Sequence, residues 1–141
     1  MRKRNWCMQA AAILAAALLC AGCGGELSAS ALSKQADSLR SLAAEGALLA
    51  EDSAAGKTTH TFRRVHSSDL DKAASKEATS LQTAKTKPAL ESERHRLASL
   101  AQRISDDLDR LGNASKGQQR SLANELQRAA DQSNRIAESL K

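Results

Sequence analysis

Apolar residues return along this chain in steps of three and four from about residue 28 onward, and the pattern breaks in three places. The first segment carries Leu32, Ala36, Leu39, Ala43, Gly46 and Ala50, with Leu42 and Leu49 beside them. The third carries Leu90, Arg94, Leu97, Ala101, Ile104, Leu108 and Leu111, and the fourth Leu122, Leu126, Ala129, Ser133, Ile136 and Leu140. Alternating steps of four and three keep one face of a helix turned toward a neighbour, as a bundle seam requires. The second segment is looser: Phe62, Val65, Leu70, Ala73, Ala78 and Leu81, interrupted by His66 and Glu77.

The breaks are chemically distinct. Gly56 stops the first segment, "KTKP" at residues 85–88 separates the second from the third, and Gly112–Asn113 ends the third. Pro88 suits a first helical turn, and Ser115 with Gln118 has capping-box spacing. The spacing predicts helices over about 28–55, 59–84, 88–111 and 116–140. Near-equal helices joined by short connections pack as antiparallel neighbours. The expected fold is therefore all-α, an antiparallel up-down-up-down four-helix bundle over residues 31–141. About 20 large apolar side chains follow Cys23, so alanine must fill much of the core.

Two polar residues fall on the inward stripes. A hairpin centred near residues 85–86 sets Glu77 opposite Arg94 and His66 opposite Asp106. Both read as structural polar pairs that fix helix register. A catalytic His–Asp reading of the second pair lacks a nucleophile. On the outer face of the fourth helix, Glu125, Arg128, Asp131, Arg135 and Glu138 alternate in sign at helical spacing, the mark of a solvated face.

The N-terminal stretch obeys a different pattern. Met1–Arg4 is basic, and Ala10–Ala21 is an unbroken run of 12 apolar or small residues. As a helix that run spans about 18 Å, short of the roughly 30 Å hydrocarbon core of a bilayer. Ala21 and Gly22 then precede Cys23, the layout of an exported signal peptide. This ending resembles the lipobox of bacterial lipoproteins, which are cleaved before the cysteine and carry diacylglycerol on its sulfur. Position −3 is Cys20, where the family usually has leucine or another aliphatic residue, and Leu18 and Leu19 lie just upstream. The resemblance implies a signal peptide over 1–22 with Ala21 and Gly22 as its cleavage flank. It further implies lipid attachment at Cys23, a tether over 23–30, and residence on the outer face of the plasma membrane or on an outer membrane. Two alternatives remain: an uncleaved anchor over Asn5–Gly25, or an ordinary cleaved signal.

Composition narrows the function. Cys7, Cys20 and Cys23 all lie within or at the end of this segment, so the helical part has no cysteine for a disulfide or a metal. Of the 21 basic residues, Arg2, Lys3 and Arg4 precede the apolar run, leaving 18 against 16 acidic ones. That near balance, with Phe62 the only aromatic after Trp6, lacks the basic face and stacking rings of a nucleic-acid binder. His60, His66 and His95 share no helix face, and no HExxH, P-loop or GxSxG occurs. The expectation is a non-enzymatic binding or structural module without metal or cofactor, tethered to the membrane and meeting an envelope protein partner through a helix face. A carrier of a lipid or other apolar ligand is the alternative. The last residue, Lys141, makes the chain similar at one further point to the murein lipoprotein of enteric bacteria. That resemblance implies linkage to peptidoglycan, although the helix breaks here exclude one long coil.

Lipidation at Cys23 is testable. Cys23→Ser should leave an unprocessed precursor, and intact-mass measurement of the native protein should show an acylated chain beginning at Cys23. An unmodified chain beginning at Gly24 or Met1 would refute it.

Overall fold

The computed structural model describes residues 26–141. The predicted signal peptide and lipid site lie outside the described residues. Four α-helices follow one another: α1 Ala29–Ala54, α2 His60–Thr83, α3 Glu91–Gly112 and α4 Lys116–Ser139. The fold is an all-α four-helix bundle, and its helix limits agree with the predicted ones to within three residues.

Local chemistry sets each boundary. Ser28 and Thr59 cap α1 and α2, their hydroxyls accepting from the amides of Ala31 and Phe62 at 3.2 Å each. Gln118 Oε1 accepts from the Ser115 amide at 2.8 Å at the start of α4. Gly56 follows the end of α1 with φ of 75°, a left-handed turn that favours glycine. Pro88–Leu90 forms a single 3-10 turn, so α3 proper begins at Glu91. Ahead of α1, the Leu27 amide donates to the Lys85 carbonyl at 2.7 Å, tying the base of α1 to the α2–α3 connection.

The helices pair unequally. α1 packs most extensively on α4, and α2 on α3, while the α3–α4 and α1–α2 contacts are slighter. Small residues allow the close approach. α1 presents buried Ser33, Ala47 and Ala54, and α4 presents Ala123, Ala130 and Ala137, the last three at seven-residue spacing. Ser33 Oγ donates to the Ala137 carbonyl at 3.3 Å. Leucines and Ile104 fill the centre, and Leu32, Leu39, Leu97, Leu108, Leu111 and Leu126 are fully buried. Where α1 crosses the bundle, a Cβ on Gly46 would lie 2.5 Å from Leu108 Cδ2 and 3.2 Å from Leu126 Cδ1.

One stripe differs from expectation. Phe62 and Val65 are more than half exposed, and Arg63 and Ser67 are buried in their place. The inward face of α2 runs through Arg63, Ser67, Leu70, Ala74, Ala78 and Leu81. The expected stripe stepped five residues from Val65 to Leu70, a rotation of about 140° beyond one turn, which leaves the face.

Gly46→Val should cost about 1–3 kcal/mol by overpacking, although valine is the better helix former. Urea denaturation checks this, and unchanged or raised stability would show that α1 does not approach so closely.

Candidate functional site

The sequence places functional chemistry at Cys23, flanked by Ala21 and Gly22, and at two polar pairs. Cys23 and its flank lie outside the described residues. Neither polar pair forms as expected. Arg94, 5% exposed, donates from Nη1 to the carbonyls of Leu81 at 2.6 Å and Gln82 at 3.3 Å. Its Nε and Nη2 clasp both oxygens of Glu91. Glu77 instead accepts from Ser38 Oγ at 3.3 Å on α1. His66 Nε2 lies 2.9 Å from Glu45 Oε1, also on α1, with the Phe62 ring stacked on it at 5.4 Å. Asp106 accepts from Gln102 at 3.0 Å, and it is Asp71 that takes the Ser105 hydroxyl across the α2–α3 seam.

The cause is a shift of register by one helical turn. Residue 94 faces 81 where 77 was expected, and 105 faces 71 where 67 was expected. The 3-10 turn and the extended residues before it move the centre of the connection toward residue 87. A slip of one turn preserves which faces meet, because i and i+4 share a face, but it exchanges every partner.

In the true register two buried arginines act as helix caps. Each is the fourth residue of its helix, and each reaches the last turn of the neighbouring helix. Arg94 serves the end of α2, and Arg63 Nη2 donates to the Gly112 carbonyl at 3.5 Å at the end of α3. Carbonyls in a last turn have no partner within the helix and carry the negative end of its dipole, so a cation is favoured there. Arg63 falls off the stripe that hydropathy predicts, which passes through Phe62.

An open groove of about 780 Å³ lies between α3 and α4, with Leu100 and Ala129 at its floor. Its walls carry Arg103, Arg110, Arg128 and Arg135 against Asp106, Asp107, Glu125 and Asp131. Arg110 bridges Asp107 at 3.0 Å and Glu125 at 3.6 Å, and Arg103 donates to Gln132 at 3.2 Å. Burial, reinforced by nearby Glu125 and Asp106 and opposed by Arg110, pushes the Asp107 carboxyl above the usual range. The lining contains no Ser, Thr, Cys or His, and the groove offers paired charges of both signs, four carboxylates among them. Among the described residues no three His, Asp or Glu side chains converge as metal ligands, and no helix is long and apolar enough to cross a membrane. Lys141 Nζ is exposed and lies 2.6 Å from Glu138 Oε1, which holds the amine protonated above its ordinary range.

Comparison with family models, with curated proteins and with solved structures yields no match.

The Arg94 cluster predicts an acid dependence. Hydrogen bonds from Arg94 and then Thr86 lower the Glu91 carboxyl to about 2 from an ordinary 4.5. A carboxyl depressed in the folded state contributes stability that is complete above the unfolded value and lost as pH falls through the folded one. Melting temperature should therefore decline between about pH 4.5 and pH 2, and Glu91→Gln should remove part of that decline. In double-mutant cycles Arg94→Met should couple to Glu91→Gln and be additive with Glu77→Gln. The reverse pattern would indicate the register in which Glu77 faces Arg94.

Proposed function

We propose that this chain is a lipid-anchored protein of the cell envelope whose helical domain acts without catalysis, as a binding or structural module working through a helix face. The observation that carries the reading is the order of its parts: a basic start, a short apolar run ending in Ala21, Gly22 and Cys23, then a bundle filled by leucine and alanine. Residues 23–28 reach at most about 20 Å when extended, which keeps the base of the bundle close to the bilayer. Tethering of this kind raises the effective concentration of a weak binder for neighbouring envelope proteins.

Three features favour surface recognition. The helix seams are closed by small residues, whereas a carrier of apolar ligands needs an enclosed space of several hundred Å³. The α3–α4 groove is charged and open to solvent. Its charges of both signs fit electrostatic recognition of a folded partner, in which complementary charge sets specificity and orientation.

Photo-reactive residues at exposed Asn124 on α4 and Lys76 on α2, introduced singly into the full chain in its own cells, test this reading. Adducts to a defined envelope protein should concentrate at one face and diminish in a Cys23→Ser background. Equal labelling at both positions, or turnover by the purified chain in an ester, peptide and phosphate screen, would overturn it.

A further inference from the structure

We infer that the outer row of α4 binds a second copy of this chain, antiparallel, as a symmetric dimer. The row is Arg128, Asp131, Arg135 and Glu138, all exposed and separated by three, four and three residues. These steps put the four on one line along the helix, reading plus, minus, plus, minus.

Elsewhere on the surface, an acid three residues ahead of a base pairs with it within the same helix. Arg40 reaches Asp37 at 3.6 Å, Arg96 reaches Glu93 at 3.2 Å, and Arg110 reaches Asp107 at 3.0 Å. Glu125 precedes Arg128 by three residues but turns to Arg110 at 3.6 Å, and none of Arg128, Asp131 and Arg135 makes an ion pair among the described residues. Asp131 accepts only from Gln127, at 3.2 Å. Glu138 is held by Lys141 alone. Arg128, Asp131 and Arg135 thus stand on the rim of the α3–α4 groove with no ion pair of their own among the described residues.

A four-charge row of alternating sign has a geometric property. Reversed end for end, it becomes its own complement. An antiparallel copy, related by a twofold axis beside residue 133, sets Arg128 against Glu138 of the second copy and Asp131 against Arg135 of the second copy. The axis then repeats both pairs, as an isologous interface must. A parallel in-register copy would place like charge on like charge. Sliding the antiparallel copy by half a heptad leaves most of the row unmatched. Spacing of three, four and three is also that of an antiparallel helix seam, so the paired charges meet at the same level along both helices. Exposed ion pairs are weak and screened by salt, so the dimer should be loose in dilute solution and fall apart as ionic strength rises. This inference rests on the reading of α4 as a binding face and not on the anchor. If the anchor is present, a twofold axis normal to the bilayer sets both tethers at one height, and confinement favours the pair.

Native mass spectrometry of the full chain, released from detergent micelles at low ionic strength, tests this directly. The wild-type chain should give a dimer that is lost as salt is raised. Asp131→Arg and Arg135→Asp should each lose the dimer, since each sets like charges face to face. Mixed together, the two variants should form a heterodimer of the combined mass, and the chain carrying both changes should regain its homodimer. Circular dichroism should show all variants as helical as the wild type, because the changed side chains point to solvent. A wild-type chain that stays monomeric, a dimer that survives either single change, or single variants that do not pair on mixing would overturn the proposal. Monomeric chains that still crosslink to another protein through Asn124 would sink the second copy as occupant while leaving the binding face intact.

Discussion

The helical domain has to build a core without aromatic rings. Phe62 is the single aromatic residue among residues 26–141, and it is exposed. Filling the interior then depends on how near the helix axes can come, and axes come near only where side chains are small. Gly46 marks one close approach, with Leu108 and Leu126 against its backbone. Ala123, Ala130 and Ala137 do the same along the α1–α4 seam. Close-packed interiors lose stability when volume is added as well as when it is removed. The two tight pairs, α1 with α4 and α2 with α3, follow from where the small residues fall.

The same constraint places the polar chemistry. Apolar and small side chains fill the interior, and charged groups gather at helix ends and along the α3–α4 junction. At the ends they serve structure. Arg63 and Arg94 cross from the first turn of one helix to the last carbonyls of the other, and Glu91 anchors Arg94 from beneath. In the α3–α4 groove they are partly unspent, since Arg110 alone bridges both walls by ion pairs. A division of labour results, in which the inside of the bundle packs and its outside presents charge.

Much of this architecture is legible in the sequence. Steps of three and four locate the core of α1, α3 and α4 residue by residue. Gly56, Pro88, Ser115 and Gln118 mark boundaries by their backbone chemistry. Register is harder to read, because it depends on how residues 84–90 traverse the connection. Three of them, Pro88–Leu90, spend themselves on a 3-10 turn, and hairpin symmetry shifts by one turn in consequence. Faces survive such a shift and partners do not, which is why Glu77 and Arg94 are both partly or fully buried yet belong to different clusters. The inward place of Arg63 was available in the sequence, since counting back from Leu70 in steps of three and four lands on Ser67 and Arg63. Hydropathy argued the other way, toward Phe62 and Val65, and periodicity won.

The central claim is that the interior of this bundle only packs and that any partner meets its surface. Mass spectrometry of an organic extract of the chain, purified from its own membrane in mild detergent, tests that claim most directly. The account predicts no apolar molecule in stoichiometric amount beyond what an unrelated lipoprotein carries through the same purification. One bound lipid or other apolar ligand per chain would contradict it, because the seams at Gly46 and along α1–α4 would then have to open.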